Sequence, residues 1–251
     1  MVHIVGAGCG AVDLITIRGK KHIETADVII YAGSLINKQL LEFAKKECEL
    51  YDSATMTLEQ VIKVVADAKK KNKIVVRLHT GDPSLYGAIA EQMREFDRLG
   101  IKYDITPGVS AFSGAAAALK AEYTLPEVTQ TVIITRAAGK TPMPERESIA
   151  DLASHNATMV LFLSTGLLGK VEEELIKGGY SPDTPAAIVY KASWDEEKVC
   201  RCTVETLEET AKKNNITKTA LITVGQFLGE SETRSLLYHP SFSTEFREGE
   251  K

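Results

Sequence analysis

The chain has 251 residues, 44% of them hydrophobic and 25% charged, and a formal net charge of −4. That length suits two small domains better than one, and the charge balance leaves no broad basic surface of the kind bulk nucleic-acid binding needs. No apolar run reaches the ~18–20 residues of a membrane span. The four cysteines, Cys9, Cys48, Cys200 and Cys202, have neither zinc-site spacing nor the density of a disulfide scaffold, so a reducing, cytoplasmic setting is expected.

Residues 2–5 read as a short buried strand, entered without a charged n-region, h-region or cleavage site, so no signal peptide is expected. Gly6-Ala7-Gly8-Cys9-Gly10 follows, then a helix carrying Leu14, Ile15, Ile17 and Ile23. A second strand, Val28–Tyr31, ends in Ala32-Gly33-Ser34. Residues 37–48 place Leu40, Phe43 and Ala44 on one face. Residues 57–71 carry Val61, Val64, Val65 and Ala68 at helical spacing, opening on Thr57-Leu58-Glu59-Gln60, a capping-box pattern. A strand at 74–78, a helix at 88–99, a strand at 103–105 and a turn at 106–110 continue a β-α repeat. The first part therefore reads as a parallel sheet with helices on both faces. An alanine-rich helix at 111–121 and a connector at 122–127 lead to the second part. There, strands are expected at 131–135, 159–163, 186–190, 198–203 and 220–225, with helices at 165–178 and 204–213, a loop at 136–146, an edge strand at 235–238 and a frayed tail from His239. Its many tight turns predict a mixed sheet. The expected domains are 1–115 and 116–251.

Ligands of open α/β sheets sit beyond the carboxyl ends of strands, and several turns fall there. His79-Thr80-Gly81-Asp82-Pro83-Ser84-Leu85-Tyr86-Gly87 joins a buried strand to a helix. Gly81 permits close backbone approach and Pro83 stiffens the turn. Asp82 reads either as an ordinary helix cap or as a short carboxylate at a ligand mouth. The glycine turn at 6–10 invites a dinucleotide reading, but its third glycine comes one residue early and the second strand ends with no acidic residue to hold a ribose, which disfavours NAD. Ser110, Ser164-Thr165 and Lys191-Ala192-Ser193 also follow strands. The histidines are scattered, and neither a metal cluster nor a Ser-His-Asp arrangement can be argued from spacing.

Val5-Gly6-Ala7-Gly8-Cys9-Gly10, Asp27-Val28-Ile29-Ile30-Tyr31, Thr80-Gly81-Asp82-Pro83, Thr106-Pro107-Gly108-Val109-Ser110 and the strand at 159–163 stand in the order and spacing of the class III tetrapyrrole methylases, which the chain resembles over most of residues 2–228. Tyr31-Ala32-Gly33-Ser34, the 81–87 turn and the 125–136 segment are similar to the branch that methylates C11 of precorrin-4 or cobalt-precorrin-4 in cobalamin biosynthesis. Methyltransferases of uroporphyrinogen III typically have an aspartate in place of Ala32 and Gly-Gly-Asp in place of Thr80-Gly81-Asp82. The family often has proline at Cys9. The resemblance implies a two-domain α/β homodimer with no membrane or nucleic-acid partner. It implies S-adenosylmethionine as cofactor, with S-adenosylhomocysteine as product, held in a cleft between domains. Carried over by position, the cofactor contacts are Gly81, Asp82, Leu85, Ser110, Ala111, Leu163, Ala192 and Ala220. The tetrapyrrole contacts are Gly8, Cys9, Gly10, Tyr31, Ser34 and Arg136. No catalytic acid or base and no metal ligand is implied. Rival readings are another precorrin position or uroporphyrinogen III as substrate, an RNA or diphthine methyltransferase, an NAD(P)-dependent oxidoreductase, and a non-catalytic tetrapyrrole binder.

Overall fold

The computed structural model describes residues 1–230 and 233–250, with the Ser34 side chain outside the description. The chain divides into two compact units, Met1–Gly114 with Lys191–Glu196, and Ala115–Tyr190 with Glu197–Lys251. In chain order the first unit contains β1 (Val2–Gly6), α1 (Ile17–Thr25), β2 (Val28–Tyr31), β3 (Glu49–Asp52), α2 (Leu58–Lys70), β4 (Val75–His79), α3 (Ile89–Arg98) and β5 (Tyr103–Thr106). The helix α4 (Ala111–Leu119) spans the division. The second unit contains β6 (Val132–Arg136), α5 (Ile149–Ala153), β7 (Thr158–Phe162), α6 (Leu168–Gly178), β8 (Pro185–Tyr190), β9 (Lys198–Thr203), α7 (Leu207–Lys213) and β10 (Ala220–Val224).

The first sheet has the order β3-β2-β4-β1-β5, and all its pairings are parallel. Helices cover both of its faces, which is why its central strands are near-continuous apolar runs. On one face Val2, Ile4, Val28, Ile30 and Val75 pack with Val61 and Val65 of α2 and Phe96 of α3. On the other, Val5, Ile29, Val76 and Leu78 pack with Ile23 of α1 and Leu40. The α2 start is the expected capping box: Thr57 Oγ1 accepts from Gln60 N, and Gln60 Oε1 accepts from Thr57 N at 2.8 Å. The second sheet has the order β6-β7-β10-β8-β9. It is mixed, as the turn-rich sequence predicts: β6 and β7 are parallel, and the other pairings are antiparallel.

Four expectations change. The helix after the glycine turn starts only at Ile17, where Thr16 caps it by accepting from Gly19 N at 3.0 Å. The amphipathic segment 37–48 forms only a 3₁₀ stretch, Lys38–Phe43. It is followed by β3, which periodicity misses because it is a short edge strand with charged ends. Residues 236–238 are a 3₁₀ turn, not an edge strand. The tail folds on itself: Arg247 Nη2 donates to the carbonyls of Leu237 at 3.0 Å, His239 at 2.8 Å and Phe242 at 3.0 Å. The short helix α5 was not read from sequence.

Candidate active site

The strand ends of the first unit meet in a platform made of backbone. Gly8 and Gly81 form an isolated antiparallel bridge, Gly8 N donating to Gly81 O at 3.2 Å and Gly81 N to Gly8 O at 2.9 Å. Gly6, Gly81 and Gly108 cross so closely that a Cβ at Gly6 would lie 2.5 Å from Gly108 N and 2.7 Å from Gly81 O. Gly81 itself sits at φ +58°, and a Cβ there would meet Ala111 N at 3.5 Å and Ser110 Cα at 3.7 Å. The fold thus brings Gly81, Asp82, Ser110 and Ala111 together. Leu85 joins them through its N–H, which donates to Asp82 O at 3.3 Å.

Asp82 caps no helix, since α3 begins seven residues later at Ile89. Its Oδ1 accepts from Ser84 N at 2.8 Å and from Ser84 Oγ, and its Oδ2 accepts from Gly108 N at 2.9 Å. The carboxylate therefore ties the turn after β4 to the turn after β5. Burial alone would raise its pKa, but the hydrogen bonds from Ser84 and Gly108 outweigh it and hold the carboxyl below its ordinary value. Behind it, two residues of β4 share one face. Arg77 is buried, donating to Gln92 Oε1 at 3.1 Å and Ile30 O at 3.0 Å. His79 is 4% exposed, and its Nε2 finds no hydrogen-bond partner among the described residues. Burial, with Arg77 adding to it, pushes the His79 pKa down to about 3.

The glycine turn is held from the side by Lys191–Glu196. Ser193 Oγ lies 3.2 Å from Cys9 Sγ and accepts from Ala11 N at 3.0 Å, and Trp194 Nε1 donates to Cys9 O at 3.2 Å. The Trp194 ring lies against Gly10, where a Cβ would stand 2.1 Å from its Cδ1 and 2.8 Å from Ala192 O. Asn37 Nδ2 donates to Gly10 O at 3.1 Å. Gly8, Cys9, Gly10 and Ala192 are thereby brought together. Beside them opens a cavity of about 580 Å³ lined by Ala11, Lys20, Asn37, Phe43 and Trp194. This turn is no pyrophosphate cradle. The N–H groups of Ala7, Gly8 and Ala11 already donate to His79 O, Gly81 O and Ser193 Oγ, and the next α-helix starts too late to offer its N-terminus. Tyr31 ends β2, with Lys38 Nζ 6.0 Å from its ring centre. Ser34 lies in the 3₁₀ turn Gly33–Leu35, and its side chain falls outside the description.

In the second unit Leu163 follows β7 in the left-handed region at φ 52°, with 66% of its surface exposed. A strained backbone that holds out a large apolar side chain marks a functional position. Ser164 and Thr165 fix it: Ser164 Oγ donates to Phe162 O at 2.7 Å and accepts from Ala137 N at 2.7 Å, and Thr165 Oγ1 donates to Ala220 O at 3.2 Å. Thr165 thus ties the turn that carries Leu163 to the start of β10. Arg136 does not reach out from its loop. It donates to the carbonyls of Ala137 and Thr141, both at 3.3 Å, and of Pro142 at 2.8 Å.

Sequence reasoning placed Ser193 in a strand-end turn but missed its bond to the glycine turn, and missed Trp194; their partners there lie 184 and 185 residues away. It also missed the meeting of His3, His22 and Asp104. No spacing signal connects either set.

Residues 1–208 match the family model of the tetrapyrrole (corrin/porphyrin) methylases. A cobalt-precorrin-4 C(11)-methyltransferase of Methanocaldococcus jannaschii is 55% identical over 251 residues, covering 100% of this chain and 97% of that protein. One from Priestia megaterium is 46% identical, covering 100% and 98%. The solved structure of a cobalamin biosynthetic enzyme, cobalt precorrin-4 methyltransferase, superposes with a TM-score of 0.89 at 47% identity, covering 91% of this chain and 96% of that one. The chain belongs to the tetrapyrrole (corrin/porphyrin) methylase family.

Proposed function

We propose that the chain transfers a methyl group from S-adenosylmethionine to C11 of precorrin-4 or cobalt-precorrin-4, giving the corresponding precorrin-5 in cobalamin biosynthesis. One observation carries the reading: full-length identity of 55% and 46% to relatives named for that reaction. Ala32 and Thr80, where uroporphyrinogen-III methyltransferases have other residues, turn the reading away from that substrate. The same reading makes the chain a cytoplasmic homodimer with a domain boundary near residue 115.

The residues present fit the cofactor. Gly81 leaves open the space a Cβ would fill beside Ser110 and Ala111. Leu85, Ala111 and Ala192 offer apolar surface of the kind an adenine ring and a methionine chain require. Asp82 has about one acceptor position left for an ammonium or ribose hydroxyl after its three internal hydrogen bonds. When bound, S-adenosylmethionine supplies an electrophilic methyl on a sulfonium whose departure needs no acid.

The chain's own contribution is therefore alignment. The bridged Gly8–Gly81 pair fixes the floor on which ring and methyl meet, and the Asp82–Gly108 tie keeps that floor from spreading. Gly8, Cys9, Gly10, Tyr31 and Ser34 take the tetrapyrrole face. Arg136 serves by shaping the 137–142 loop, because its guanidinium is already committed to that loop's carbonyls.

Two experiments test this. Calorimetric titration with S-adenosylhomocysteine is expected to show micromolar binding, with no heat from NADH. Incubation with cobalt-precorrin-4 and S-adenosylmethionine is expected to add one methyl, with uroporphyrinogen III left unmodified. Heat from NADH alone, or methylation of uroporphyrinogen III only, refutes the assignment.

A further inference from the structure

His3, His22 and Asp104 come from three elements of the first unit and meet at the opposite end of β1 from the glycine turn. His3 and Asp104 are register partners on β1 and β5, and His3 Nδ1 lies 2.8 Å from Asp104 Oδ1. His22 of α1 stacks on His3 with ring centres 3.8 Å apart and planes 20° apart. Its Nε2 is buried and has no hydrogen-bond partner among the described residues. One donor atom from each residue lies within 4.8 Å of the other two. His3 stands three residues before Gly6, roughly 10 Å along the strand, so this cluster is separate from the platform described above.

We propose that His3, His22 and Asp104 form a binding site for a divalent transition-metal ion that clasps α1 to β1 and β5. Two imidazoles and one carboxylate suit zinc and its neighbours in the first row, not calcium or magnesium, which take oxygen ligands. Zinc bonds of about 2.0–2.2 Å put tetrahedral donors roughly 3.3–3.5 Å apart. The present separations close to that when the His22 ring tilts out of its stack and Asp104, whose side chain is 45% exposed, turns inward. The orphaned nitrogen of His22 then gains the partner it lacks. Three protein donors leave a fourth position for water. Asp104 offsets one of the ion's two charges, and the nearby Arg18, itself a cation, opposes binding. The site lies wholly within the first unit and is independent of the methyl-transfer reading.

The test is titration of the full chain with zinc alone. One ion per chain is expected, and a hundredfold excess over Kd should raise Tm by about 5–10 °C. His22→Gln and Asp104→Asn should each weaken binding by about tenfold or more. In the unsubstituted chain, imidazole NMR signals of His3 and His22 should shift on adding zinc while those of His155 and His239 stay, a readout that survives any folding defect in the variants. Absence of binding, binding unchanged in both variants, or shifts confined to the other histidines overturns the proposal.

Discussion

Gly6→Ala perturbs the platform directly. Gly6 lies in β1 with no positive φ, so alanine suits its backbone, and only space opposes the change. The new Cβ would stand 2.5 Å from Gly108 N, 2.7 Å from Gly108 Cα and 2.7 Å from Gly81 O. All three are backbone atoms, and no side chain can swing away. To restore contacts of 3.0–3.4 Å, Gly108 must retreat by about 0.5–0.9 Å. Its N–H already donates to Asp82 at 2.9 Å, so the retreat stretches a hydrogen bond to a charged acceptor. Overpacking costs about 1–3 kcal/mol, and losing that hydrogen bond adds about 1.5–3 kcal/mol. The sum, about 2.5–6 kcal/mol, is a large share of a typical stability of 5–15 kcal/mol, and corresponds to a fall in Tm of roughly 5–25 °C.

Urea denaturation followed by circular dichroism measures this, with two controls. Gly166→Ala, where an added Cβ meets nothing within 4 Å, should change stability by less than about 0.5 kcal/mol. Gly100→Ala, also in open space but at φ +59°, should cost about 1–2 kcal/mol through backbone strain alone. A Gly6→Ala protein no less stable than Gly166→Ala would refute the close crossing. A variant that folds normally but binds S-adenosylhomocysteine as before would refute the link from crossing to cofactor.

Three further outcomes follow from the same region. The lowered pKa of Asp82 means its contribution is full above the ordinary carboxyl value of 3.8 and is lost as pH falls through the folded value; Asp82→Asn should flatten the stability curve below about pH 4, and an unchanged acid limb would count against the ties to Ser84 and Gly108. His79 is held neutral in the fold, with a pKa near 3 against an ordinary 6.5, so stability present above pH 6.5 should decline by up to about 1.4 kcal/mol per pH unit on acidification towards 3. His79→Gln should remove that slope in urea titrations at pH 6, 5 and 4. Gln92→Leu strands the buried Nε of Arg77 and should cost about 1–3 kcal/mol, whereas Gln92→Glu, which pairs with the cation, should cost less; the reverse order would argue against a charged Arg77.

What was legible in the sequence divides along physical lines. Strands buried on both faces are apolar runs, so β1, β2, β4, β7 and β10 were readable. So was the capping box at Thr57, because Thr57 and Gln60 satisfy each other locally. The edge strand β3 was not, since Glu49 and Leu50 are exposed and its identity comes from pairing with β2. Residues 37–48 misled for the converse reason: a helical stripe of apolar residues is also what a 3₁₀ segment shows when one face is pressed on a sheet. At the site, Gly81 and Asp82 were visible as turn chemistry. The Ser193 and Trp194 bonds to the glycine turn were not, because the chain must fold before their partners exist.

The part Asp82 plays changes how the whole site should respond to substitution. A carboxylate at a strand end invites a role in acid-base chemistry, yet its oxygens accept from Ser84 and Gly108 and its pKa is lowered. It is a poor proton carrier at neutral pH and a good strut. The cradle beside it is made from Gly81, Ser110 and Ala111, whose contribution is chiefly backbone and space. A reaction that needs alignment and no proton at the leaving group can be served by such a surface. On the proposed reading, truncating side chains around it should remove little that the reaction uses. Adding a single methyl group to Gly6 or Gly108, where no side chain exists, displaces the surface itself. Sensitivity at the glycines exceeding sensitivity at the acids is thus the signature of a site that works by shape, and a site dependent on acid-base chemistry would give the opposite ranking.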